Sequence, residues 1–188
     1  MKKITFLIVI VSLLSSCSWF GNSKTEEALP IAISSGQVGE FKIGDKIGDI
    51  KLTNAQTMSS VDVPAGEGEI ETRWFLKDNS LELLKFTESE DNTIREIEVL
   101  SPLYKTEKKI GTGSSLKKLL EVYEEITIWY TYVTDRFIAD TPKLKNIQFN
   151  IDPEAFIGDR TSLYESDMIE LTADQFAPDA KILTIRLY

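Results

Sequence analysis

The chain has 188 residues, with 30 acidic side chains against 21 basic ones, no histidine and one cysteine. This acidic balance excludes the basic stripe of a nucleic-acid binder. The lack of histidine removes Ser-His-Asp and Cys-His catalysis and the common zinc ligand sets, leaving carboxylate-pair hydrolysis, Ser-Lys chemistry and oxygen-only metal sites.

The N-terminus has the pattern of an export signal. Lys2 and Lys3 precede an apolar run from Ile4 to Leu14, and the small residues Ser15 and Ser16 lead to Cys17. The run is too short to cross a bilayer, which takes about 20 residues. With no second cysteine, Cys17 has no disulfide partner in the chain. Leu14-Ser15-Ser16-Cys17 resembles the bacterial lipobox. That resemblance implies cleavage before Cys17 and acylation of its thiol and amine, an anchor of three chains. The expected organisation is a lipoprotein signal peptide over 1–16, a lipidated tether over 17–30 and a single α+β domain over 31–188. Trp19 and Phe20 either rest at the membrane interface or are disordered. Ser18 follows the cysteine where inner-membrane lipoproteins of diderm bacteria resemble one another in carrying aspartate. This implies the outer membrane.

Beyond Pro30, Glu40 to Leu52 predicts a short strand, a glycine turn and one amphipathic turn through Ile47 and Ile50. Thr53 to Gly68 lacks periodicity and reads as loop or irregular edge. Ile70–Lys77, Leu81–Thr87 and Thr93–Leu100 are three strands separated by polar turns, an antiparallel meander. Ser114 is a candidate N-cap for a helix whose apolar residues Leu116, Leu119, Leu120 and Tyr123 fall on one face. Ile126–Val133 is rich in β-branched and aromatic residues. Ile147, Phe149 and Ile151 alternate with Gln148 and Asn150, as in a half-buried strand. Residues 152–180 read as loop with a helical piece near Thr172–Phe176, and Lys181–Tyr188 as a terminal strand. The fold class is α+β, an antiparallel sheet with one principal helix.

Phe41-Lys42-Ile43-Gly44, followed by Ile47 and Ile50, echoes Lys109-Ile110-Gly111, followed by Leu116 and Leu119. The spacings differ by two residues. Two degenerate helix-strand repeats sharing a sheet explain the echo, and so does chance. The run from Ile110 to Tyr123, with Ser101 to Thr106 before it and Asp179 to Tyr188 at the end, resembles a recurring element of small bacterial envelope lipoproteins. The resemblance implies the β-lactamase-inhibitor-protein type of fold, shared by the small lipoprotein of the outer-membrane barrel-assembly machinery. It covers roughly 40–52 and 94–188, implies a protein-binding role and transfers no binding residue.

Other candidates favour plain structural readings. Gly111-Thr112-Gly113-Ser114-Ser115 lacks the Gly-Lys-Ser ending of a phosphate loop and reads as a helix-entry turn. Glu88, Glu90, Asp91 and Asn92 lack EF-hand spacing and read as a solvated turn, as do Asp152, Glu154 and Asp159. Ser114 or Ser115 with Lys117 or Lys118 would suit Ser-Lys chemistry, but those lysines fall on the polar helix face. Trp74, Trp129, Tyr130 and Tyr132 are core residues or an aromatic binding face. No catalytic, cofactor or metal residue is assigned, and no cofactor is expected. The sequence favours a non-catalytic module, anchored to the outer membrane, that binds an envelope protein or polymer. A carboxylate-dependent glycan hydrolase and a structural scaffold of an envelope complex are the alternatives.

Overall fold

The computed structural model describes residues 31–66 and 68–188. Cys17, the signal peptide and the tether lie outside the described residues. The elements in chain order are β1 (Ile31–Ser34), β2 (Gln37–Val38), β3 (Phe41–Lys42), β4 (Gln56–Gly66), β5 (Glu69–Asp78), β6 (Leu81–Glu88), β7 (Ile94–Val99) and β8 (Tyr104–Thr106). There follow α1 (Leu116–Val122), β9 (Thr127–Thr131), β10 (Arg136–Asp140), β11 (Ile147–Ile151), β12 (Met168–Leu171) and β13 (Ile182–Leu187). Nine strands form one antiparallel sheet in the order β12-β9-β10-β11-β13-β7-β6-β5-β4. A second sheet, β3-β2-β1-β8, joins β1 to β8 in parallel. One hydrophobic cluster runs through both sheets and takes in Leu116 and Leu119 of the helix. The class is α+β, mostly antiparallel sheet with one principal helix.

The turns follow from local chemistry. Asn79 and Asn92 adopt positive φ between the meander strands, a conformation asparagine tolerates better than most residues. The segment read as loop or irregular edge is mostly an edge strand: β4 spans Gln56–Gly66. It carries no alternation because most of its residues are exposed on both faces, so burial never imposed a period. The helix is capped by Ser115, whose hydroxyl accepts from Lys118 N, rather than by Ser114, which accepts from Gly111 N. β11 is not half-buried. Gln148 and Asn150 are nearly as enclosed as their apolar neighbours, because β11 is central and side chains of β13 pack beside them, Arg186 donating to Gln148 and Thr184 accepting from Asn150.

The internal echo is structural, and its register differs from the sequence alignment by two residues. Gly44 N donates to Ile94 O and Ile94 N to Asp45 O; Gly113 N donates to Ile182 O and Ile182 N to Ser114 O. Isolated bridges join Lys46 to Thr93 and Ser115 to Lys181. Gly44 therefore corresponds to Gly113, with φ of 90° and 80°, and Phe41 to Ile110. In this register Ile47 and Ile50 match Leu116 and Leu119 without a gap. Each unit continues into four strands, β4-β5-β6-β7 or β9-β10-β11-β13. The last strands meet along a seam in which Ile97 faces Leu187 and Val99 faces Ile185. The seam is symmetric under exchange of the units, a local two-fold at the Glu98–Arg186 pair.

The face of the large sheet opposite the main core is polar. There Lys85 pairs with Glu98, Thr184 Oγ1 donates to Glu98 Oε1 at 2.7 Å, and Arg186 pairs with Glu96 at 2.6 Å. Burial pushes the Glu98 carboxyl up, but Lys85 and the Thr184 hydroxyl outweigh it and hold the group below its ordinary value.

Because Glu98 is harder to protonate folded than unfolded, its stabilising contribution is full above the unfolded value, about 4.3. It is lost as pH falls through the lower folded value. Lys85→Met is expected to cost about 3–5 kcal/mol near neutral pH by stranding the carboxylate. Glu98→Gln should flatten the acid limb of the stability profile. Urea titrations between pH 3 and 7 check both. Gly44→Ala and Gly113→Ala should each cost about 1–2 kcal/mol, since an L residue strains at positive φ. Gly48→Ala, at ordinary φ with open space around it, should be near neutral in the same assay.

Candidate functional site: an apolar groove beside the helix

The amphipathic pattern of α1 buries Leu116 and Leu119 and leaves Leu120 half-covered. Beside it, residues 172–178 close a short 3-10 turn, Ala173–Gln175, through a capping box in which Thr172 N donates to Gln175 Oε1 at 2.9 Å. Leu116 N donates to Ala180 O at 2.8 Å, which fixes the helix against this segment. The two elements bound a groove of about 580 Å³ whose apolar walls are Leu116, Leu120, Ile157, Phe176, Ala177 and Pro178. Ile157 is 64% exposed. Lys117, Glu121 and Asp174 stand at the rim.

Phe156, Phe137 and Phe176 support the floor, with ring centroids 4.8 to 5.6 Å apart. Such stacked and edge-on pairs favour a fixed geometry. A smaller hollow of 220 Å³ in the first unit is lined mainly by charged groups, Glu40, Asp45, Lys46, Asp49 and Lys51, with Phe41 and Ile50.

The other candidate residues have structural positions. Ser115 caps the helix, and Lys117 and Lys118 are exposed. The Gly111–Ser115 turn enters a seven-residue helix. Asp91 accepts from the Ser89 and Thr93 hydroxyls, bonds that hold its carboxyl below the ordinary value. Asp152 accepts from Glu154 N, and Asp159 from Thr161 N, in short turns. Among the described residues, no group of histidine, cysteine, aspartate and glutamate is arranged to hold a metal. Tyr130 is core, Tyr132 is exposed and pairs edge-on with Tyr164, and Trp74 and Trp129 are half-buried with their indole N–H donating to Glu88 and Asp140. Sequence reasoning missed Ile157 and Pro178. Neither belongs to a periodic run, and only the fold brings them to the helix.

Residues 1–18 match the model of the prokaryotic membrane lipoprotein lipid attachment site. This supports a bacterial lipoprotein anchored to a membrane through lipid. No curated protein matches the sequence. The crystal structure of the uncharacterized protein yfeY from Escherichia coli is similar, with a TM-score of 0.58 and 14% identity over 84% of this chain and 98% of that one. At that identity the likeness is one of fold alone.

Replacing Ile157 by Ser should reduce binding of an environment-sensitive apolar dye at an unchanged melting temperature, because this side chain is a solvent-facing groove wall. Leu119→Ala, fully buried, should instead cost about 2–5 kcal/mol. Dye titration and thermal melts, run in parallel, separate the two effects.

Proposed function

We propose that the chain is an envelope lipoprotein that binds a partner protein without catalysis. In this reading the signal peptide over 1–16 is removed, Cys17 is lipidated, residues 17–30 are a tether, and the domain from 31 to 188 is held at the outer membrane. The observation that carries it is the lipid attachment match on a chain whose folded part presents an open apolar groove. An open apolar groove in an anchored protein is suited to a partner, and Glu121 and Asp174 against the single Lys117 leave the rim net acidic, which favours a segment with basic residues beside its apolar ones.

The glycan-hydrolase alternative needs two facing carboxyls, one held above its ordinary value. Glu71, Asp91, Glu98 and Asp159, the carboxyls with clear shifts, are all held below theirs. This favours binding over hydrolysis.

Growth with an alkyne fatty acid should label the wild-type chain and leave Cys17→Ala unlabelled. Equal label in both would remove the anchor from the reading. A photo-crosslinking residue at position 120 should trap a single protein in outer-membrane fractions, and Ile157→Asp should abolish that adduct. An adduct indifferent to Ile157→Asp, or turnover of a glycan by the pure protein, would overturn the binding role.

A further inference from the structure

The two units treat one position on the polar face of the large sheet differently. In each, a bulge inserts one residue into the last strand: Arg95 in β7, Leu183 in β13. Thr87 pairs with Glu96 just beyond the first bulge, and Asn150 pairs with Thr184 just beyond the second. In the first unit the bulged Arg95 turns to Glu71, which also holds Arg73 at 2.7 Å. That position is occupied by its own ion pairs.

In the second unit it is not filled. The bulged residue is an exposed leucine, and a pocket of about 210 Å³ remains, lined by Arg136, Asn150, Pro153, Leu183, Thr184 and Glu98 among others. Thr184 Oγ1 gives its proton to Glu98 Oε1, so it can only accept from Asn150 Nδ2, at 2.7 Å. This fixes the amide's orientation and leaves Asn150 Oδ1 buried without a donor, in a side chain 7% exposed. The Arg136 guanidinium, half-buried in the same pocket, makes no ion pair among the described residues. Bulges recur beside binding sites because they re-aim side chains.

We propose that this pocket binds the pendant N-acetyl group of an amino-sugar polymer. The charges around it balance, Lys85 and Arg136 against Glu98 and Asp135, so a neutral ligand fits better than an ion. A carboxylate has no proton for Asn150 Oδ1 and meets Glu98. An ammonium group meets Arg136. A secondary amide meets both needs, its N–H donating to Asn150 Oδ1 and its carbonyl accepting from Arg136. Pro153 and Leu183 give its methyl group an apolar wall.

The pocket opens on the middle of the sheet, between β10, β11, β13 and β7, away from both edges. A peptide backbone therefore cannot reach it by adding a strand. A short side group lying lengthwise between Arg136 and Asn150 can. Asn150 Oδ1 is closed to solvent in the free protein, so binding parts the lining side chains and gains by satisfying an oxygen otherwise unpaired. The site is separate from the helix groove, and its failure leaves the partner-binding reading untouched.

The test is calorimetric titration of the full lipidated chain in detergent with the tetramer of N-acetylglucosamine. Saturable binding is expected, weakened at least tenfold by Asn150→Leu and by Arg136→Met. The deacetylated glucosamine tetramer should not bind. Arg136 is half-exposed, so its variant decides the matter if Asn150→Leu fails to fold by circular dichroism. Absence of saturable binding, equal binding of the deacetylated tetramer, or indifference to Arg136→Met would overturn the site. Tighter binding of N-acetylalanine methylamide would reassign it to peptide and equally overturn the sugar.

Discussion

The seam between β7 and β13 is the constraint on which the molecule rests. It joins two four-stranded units into one sheet, and its register sets which residues of each unit face the core. Ile97, Val99, Ile185 and Leu187 are all fully enclosed there. A slip of one residue would turn one strand's pair outward and bring Glu98 or Arg186 inward. The charged side chains at the local two-fold and the bulge in each last strand make that slip costly. The sites lie where the two units depart from their shared plan.

Those departures show how a duplicated frame is specialised. At its bulge the first unit pairs Arg95 with Glu71. The second unit has Leu116, Leu120 and Leu183 nearby, and its hollows stay open. The backbone bonds that frame them are alike in both. In the proposed reading the binding surfaces fall in one half, while the other half supplies sheet and core.

Much of the fold was legible because periodicity records one-sided burial. β7, β13 and the helix could be read from their apolar spacing, and β5 and β6 from the polar turns that bound them. β10 could not: Phe137, Ile138 and Ala139 are buried on both faces, and their short run follows a polar turn. β4 failed for the opposite reason, exposure on both faces. The repeat was visible only as a loose echo, because the first unit has one 3-10 turn, Ile47–Asp49, where the second has a helix. The groove and the pocket were not legible, since Ile157, Pro178, Asn150 and Arg136 come together through register and not through spacing. The signal for lipid attachment is the reverse case, a linear motif readable without any fold.

An anchor at the N-terminus makes the small sheet a mechanical element. Any pull from the membrane reaches the described structure at Ile31, whose N–H donates to Leu103 O at 3.0 Å. From there β1 shares the load with β8 through three residue pairs, with β2 through two, and with the core through Ile33. The small sheet lies between an N-terminal attachment and the nine-stranded sheet. Drag or thermal motion at the membrane surface is therefore borne by the sheet that carries neither the groove nor the pocket.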